Sequence, residues 1–278
     1  MEQRVRVLID CTDEKGLVYK ISKIFYDREL NIDNNREFVD KEQGRFFMRT
    51  VISGYFDIDE LRQSLKKVIP TSANLQLIEP KRKKIVILAT KESHALGDIL
   101  IRHEDGELNA DIEAVIANHN TLESLVRRFD IPFFCVPADN MSREEHEEHV
   151  IKLIDEQEFD IIVLAKYMRI LTSNFVSKYP KQIVNIHHSF LPAFIGANPY
   201  KQAYQRGVKI IGATAHFVTD DLDEGPIIAQ DVIPITHRLE WRDMQRAGRD
   251  VEKIVLSRAL SLVLNDRVFV YGNRTIVF

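Results

Sequence analysis

Apolar residues along the first eighty positions recur with a period that changes from segment to segment. Val5 to Ile9 read as a strand, and the stretch that follows brings Leu17, Ile21, Ile24 and Phe25 to helical spacing. "NIDNNREFVD" and "RFFMRTVISG" read as two strands joined by a turn at Gln43-Gly44. "DIDELRQSLKKVI" supplies a second amphipathic helix, and "ANLQLIEP" a closing strand. The predicted order is βαββαβ.

From "KIVILA" onward the pattern changes. Nearly continuous apolar runs, "KIVILA", "DIEAVIA", "PFFCV", "DIIVLA", "IVNIH" and "IIGATAHFV", alternate with helical stretches. Runs apolar on both faces, separated by helices, predict a mostly parallel, Rossmann-like sheet covered on both sides. Ser142 and Glu145 form a capping-box signature ahead of one crossover helix. A long helix is expected from Leu239 to Leu264, and a hairpin around Gly272-Asn273 closes the chain. The fold class is therefore α/β: a ferredoxin-like domain over residues 1–80, a basic linker "KRKK" at 81–84, and a second domain over 85–278.

Composition narrows the function. With 45% hydrophobic and 29% charged residues the chain reads as an ordinary globular protein. A formal net charge of -4 offers no basic excess for a phosphate backbone, so nucleic acid is not an expected partner. Cys11 and Cys135 are the only cysteines and form no Cys-x-x-Cys pair, which fits a reducing cytoplasm. No run approaches a membrane span, and the charged start lacks the apolar stretch of a signal peptide.

Four segments carry candidate chemistry. "HEEH", His146 to His149, spaces its histidines by three rather than the four of a zinc helix and reads as the wetter side of a helix. "LATKESHALGDIL" stands where many α/β proteins place a phosphate loop, yet it has no glycine before Gly97, and Glu92 would repel phosphate. "VNIHHSFLP" puts Asn185 and His187 on one face of a strand, roughly 6.6 Å apart along it, with His188 directed to the other face. "HFVTDDLDEGPII" adds an acidic loop ended by Gly225-Pro226, able to hold one carboxylate against the Asn-His pair. No metal is expected.

An Asn, a His and an Asp without a nucleophile point to chemistry on a polarised carbonyl. The amide and a protonated imidazole can donate to an oxyanion, and the carboxylate can orient or deprotonate water. These motifs resemble the folate-dependent formyltransferase and hydrolase superfamily. The resemblance implies that Asn185, His187 and Asp223 are catalytic. In "KYMRIL" it implies that the backbone at Arg169 and Leu171 binds the pterin while Met168 packs on it; it also implies folate contacts at Val218, Thr219 and Asp220 and supporting roles for His188 and His216. "CTDEKGLVYKI" within the βαββαβ unit resembles the ACT domain, which implies an effector loop at Asp13, Gly16 and Leu17.

Glycinamide ribonucleotide transformylases differ from this chain in having a Gly-rich phosphate loop and a proline at the position of His188. Taken whole, the chain resembles the formyltetrahydrofolate deformylase family. That resemblance implies hydrolysis of 10-formyltetrahydrofolate to tetrahydrofolate and formate, balancing the one-carbon pool and supplying formate for purine biosynthesis. It implies no cofactor, an amino-acid effector such as glycine or methionine, and a homodimer or homotetramer. Transfer to an amine such as glycinamide ribonucleotide, and a non-catalytic amino-acid sensor, are the competing expectations.

Overall fold

The computed structural model describes residues 2–193 and 199–278, which fall into two compact units. The first runs to Lys81 and takes in Asp266–Phe269 and Ile276–Phe278. It contains β1 (Gln3–Thr12), α1 (Leu17–Asp27), β2 (Asn31–Asp40), β3 (Arg45–Gly54), α2 (Ile58–Lys66) and β4 (Asn74–Ile78). The strands pair antiparallel in the order β2-β3-β1-β4. Val5, Val7, Ile9 and Cys11 alternate into one core with Ile21 and Phe25 of α1 and Leu61 and Leu65 of α2.

The other sheet face explains the first correction to the expected boundaries. Phe47 is fully buried there, its ring 5.8 Å from that of Phe269 in an edge-on contact. Arg6 pairs with the Asp266 carboxylate at 2.7 Å, and Arg49 Nε donates to the Asp266 carbonyl at 2.9 Å. An aromatic on the second face needs cover, and chain-terminal residues expected in the 85–278 domain supply it.

The second unit comprises Arg82–Asn265 and Val270–Thr275. Its elements begin with β5 (Lys83–Ala89), α3 (Ser93–Glu104), β6 (Ala110–Ala117), α4 (Glu123–Val126), β7 (Phe133–Cys135) and α5 (Arg143–Asp155). They continue with β8 (Ile161–Ala165), α6 (Ser173–Lys178), β9 (Ile183–His187), α7 (Pro199–Arg206), β10 (Ile210–Phe217), β11 (Ile227–Pro234) and α8 (Trp241–Leu264). A terminal hairpin joins β12 (Val268–Tyr271) to β13 (Arg274–Val277) around Gly272.

The seven-stranded sheet has the order β11-β10-β9-β8-β5-β6-β7; β5 to β9 run parallel, and β10 and β11 are antiparallel additions. The basic run is not a spacer, because Lys83 and Lys84 already belong to β5 and Arg82 bonds Asp111 and the Ala110 carbonyl. The chain leaves β5 in one direction for β6 and β7, then returns to β8 on the other side. That reversal opens a crevice beyond the carboxyl ends of β5, β8 and β9.

The capping box is present on α5: Glu145 N donates to Ser142 Oγ at 3.1 Å, and Ser142 N donates to Glu145 Oε2 at 2.8 Å. His146, read from sequence as part of a wet face, is instead fully buried, with Nε2 2.9 Å from the Val136 carbonyl. It stands four and eight residues ahead of Val150 and Ile154, both buried, and so shares their stripe. His149 is exposed as expected.

Candidate active site

β9 ends at His187, at the mouth of the crevice. Asn185 lies opposite His216 in the antiparallel pairing with β10, and its amide nitrogen is 3.2 Å from His216 Nε2. His216 Nδ1 lies 2.9 Å from the Phe217 carbonyl. Donation there leaves Nε2 to accept from Asn185, which fixes the Asn185 amide. Burial is the main force holding His216 below its usual range and hence neutral. The β10–β11 register shifts between Ala215 and His216, a local irregularity of the kind that re-aims side chains beside sites.

Asp223 arrives from the loop between β10 and β11. Its backbone is left-handed, with φ 58°, unusual for a residue with a side chain and typical of strained functional positions. The loop can fold back so tightly because position 225 is glycine: a Cβ there would stand 1.8 Å from the Phe217 carbonyl oxygen. Asp223 Oδ1 sits 3.2 Å from His187 Nδ1. Burial opposes ionisation of this carboxyl, but the His187 hydrogen bond holds it below the usual carboxylate range. Asp223 thereby fixes the His187 ring, whose buried Nε2 has no hydrogen-bond partner among the described residues. A buried, unpartnered ring nitrogen beside a fixed amide is a site prepared for a polar group still to arrive.

These groups line a cavity of about 310 Å³. One wall is the segment after β8. Lys166 has φ 60°, Met168 N donates to Thr90 Oγ1 at 2.9 Å, and Thr172 N donates to Glu147 Oε1 at 2.9 Å. The Thr172 hydroxyl bonds the same carboxylate. So held, Met168 and Ile170 remain half exposed while Leu171 and Val218 pack on the core behind them. Every expected folate-contact position lines this cavity: Met168, Arg169, Leu171, Val218, Thr219 and Asp220. Leu222 and Ile170 line it as well and were not anticipated.

His188 corrects the sequence reading. Face alternation holds only within a strand, and β9 stops at His187, so His188 turns back into the same cavity with its ring 5.1 Å from that of His187. Burial and then the Lys166 ammonium push its pKa down to about 3, so it stays neutral near pH 7. Behind it, Glu252 of α8 is almost fully buried and was missed. Its signal was legible in principle, since Glu252 stands four residues before Leu256 and eight before Leu260 on the apolar stripe of α8.

In the first unit, Gly16 takes φ 83° and opens α1, while Leu17 is buried in the core. Asp13, Gly16 and Leu17 line a separate cavity with Phe38 and Phe46. Among the described residues no group of three or more His, Cys, Asp or Glu side chains is placed to hold a metal, and no helix is long and apolar enough to cross a membrane.

Comparison with known proteins gives two family matches: a formyl transferase model over residues 83–260 and an ACT domain model over residues 5–70. The formyltetrahydrofolate deformylase of Haemophilus influenzae is 55% identical over 277 residues, spanning 100% of each chain. A crystal structure of a formyltetrahydrofolate deformylase from Pseudomonas syringae pv. tomato superposes with a TM-score of 0.94 at 42% identity, covering 100% of this chain and 95% of that one. Glycinamide ribonucleotide transformylase 1 from Symbiobacterium toebii has a TM-score of 0.68 at 29% identity, covering 74% of this chain and 98% of that one.

Proposed function

The chain belongs to the formyltetrahydrofolate deformylase family, and we infer that it hydrolyses 10-formyltetrahydrofolate to tetrahydrofolate and formate. The observation that carries the chemistry is the Asn185–His187–Asp223 arrangement in the lining of an apolar cavity. The pterin lies against Met168, Ile170 and Leu171, with backbone groups of the 166–172 segment and of Val218, Thr219 and Asp220 supplying its polar partners. The formyl oxygen faces the Asn185 amide and His187 Nε2, which donate to it as negative charge develops. Asp223 keeps His187 in the donating orientation and takes a proton from the attacking water. The water oxygen bonds the formyl carbon and the carbon–N10 bond breaks; one proton passes to N10 and the other leaves with formate. His216 acts through Asn185, as a positioning residue.

The reading extends to regulation and assembly. The ACT-like unit takes a small amino acid such as glycine or methionine at the Asp13–Leu17 loop, restraining a reaction that drains formyl carrier, and the formate released feeds purine synthesis. β2 is an exposed sheet edge carrying Ile32 and Phe38, and pairing of such edges builds a homodimer or homotetramer in the cytoplasm.

The test mixes purified protein with 10-formyltetrahydrofolate and no acceptor, following formate and tetrahydrofolate. Equimolar appearance of both is expected; turnover only after an amine such as glycinamide ribonucleotide is added would replace hydrolysis by transfer.

A further inference from the structure

A second chamber of about 200 Å³ adjoins the apolar cavity and shares Lys166, Met168 and His188 with it. It carries more charge than the apolar cavity: Lys166, Glu252, Glu92 and Arg249 line it with Tyr200, Trp241 and Pro199. We propose that Lys166 and Glu252 decide the formyl acceptor, holding this chamber so that it admits water to the formyl carbon and refuses amines; the proposal rests on the hydrolytic reading above.

Glu252 is the hub, 1% exposed. Its Oε1 accepts from the Tyr200 hydroxyl at 2.6 Å; its Oε2 faces His94 Nε2 at 2.7 Å and the Lys166 ammonium at 3.4 Å. Position 248 is glycine because a Cβ there would stand 2.1 Å from the Tyr200 hydroxyl, so the backbone of α8 is cut back to seat that ring. Both oxygens of the one deeply buried carboxylate are therefore engaged. A protonated amine meets the Lys166 cation where the two cavities join. Water is small and neutral. The uncharged His188 ring, which lines both cavities, presents it a nitrogen acceptor, and the chamber has room for several waters. Arg249, bonded to Glu92 at 3.1 Å and 43% exposed, is the outer part of the same frame.

If an amine is admitted, its nitrogen bonds the formyl carbon, the carbon–N10 bond breaks and the amine proton passes to N10. The acceptor used is thus readable in the products. Glycinamide, whose α-amino group is mostly protonated at pH 7, is added to 10-formyltetrahydrofolate and enzyme, and tetrahydrofolate, formate and N-formylglycinamide are measured after subtraction of the uncatalysed reaction. The native enzyme is expected to yield formate equal to tetrahydrofolate. Lys166→Met/Glu252→Gln removes both charges at nearly constant volume; the N-formylglycinamide share is expected to rise about tenfold or more. Arg249→Ala, a surface change that folds irrespective of the buried pair, is expected to move the share the same way by about threefold. Native enzyme that already makes N-formylglycinamide overturns the proposal. So does a folded double variant that makes only formate or loses tetrahydrofolate release altogether, and, if the double variant does not fold, an unchanged share in Arg249→Ala. Native enzyme that produces no formate sinks the hydrolytic reading itself, a separate result.

Discussion

The apolar cavity of the second unit and the glycine loop of the first are both pockets at a strand end, and they are prepared to different degrees. In the cavity the polar groups are set in place: Asn185 is held by His216, His187 by Asp223, and Asp223 by a left-handed backbone closed through Gly225. In the glycine loop Asp13 and Glu14 are exposed, Val18 and Phe38 are partly open to solvent, and the side chain of Leu17 is spent on the core. Only the φ of Gly16 is specialised. Catalysis needs its dipoles fixed before charge develops, since reorganising them during the reaction would raise the barrier. A binding loop has no such need, because ligand or partner can order it on arrival.

The largest effect that would break this contrast is on Asp223. Asp223→Asn keeps the shape of the loop but removes the proton acceptor and the anion that orients His187. A fall in kcat of about a thousandfold or more is expected, with KM for the folate changed little and an unaltered circular dichroism spectrum. Near-native turnover in a folded Asp223→Asn protein would show that the prepared geometry is not the catalytic one.

Much of that geometry was legible in the chain. The alternation of "VNIH" put Asn185 and His187 on one face, and Gly225-Pro226 marked a fixed loop that could bring a carboxylate to them. The failures share a cause, which is dependence on where an element ends or what lies across from it. His188 was misdirected because the end of β9 is set by the turn that follows rather than by the apolar period. His146 was placed in water because a histidine on an apolar stripe looks like any polar residue until its acceptor, the Val136 carbonyl ten residues away, is known. Asp266–Phe269 went to the wrong unit because cover for Phe47 comes from more than two hundred residues along the chain, beyond the reach of any local pattern.

A smaller effect sharpens the contrast through acid. The unfolded His188 side chain titrates near 6.5, whereas in the fold its pKa is about 3. Between those values the unfolded chain binds a proton that the folded chain does not, so this residue lowers stability as pH falls from about 6.5 and has no effect above it. Lys166 and His187 face the ring and depress its pKa further, while Glu252 and Asp223 pull the other way. His188→Asn is expected to flatten the fall of Tm between about pH 6 and 4. Part of the slope should persist, because His146 and His216 are also held below their usual range and Asp223 loses its charge at still lower pH. Superimposable Tm curves for the two proteins would contradict a neutral, buried His188.

The smallest effect compares the glycines that shape the two loops. At Gly16 the surrounding space is open, and only its φ of 83° resists a side chain, so Gly16→Ala should cost about 1–2 kcal/mol, the penalty of a left-handed L-residue. At Gly225 a new methyl would collide with the rigid backbone of Phe217, and relief requires the Asp223 loop to move. Gly225→Ala should therefore lower kcat by tenfold or more, a change of the size a displacement near 1 Å produces in positioned groups, whatever its effect on Tm. Urea unfolding and steady-state kinetics on both variants check the pair. If Gly225→Ala changed stability alone, the tight return at position 225 would serve the fold rather than hold Asp223 against His187.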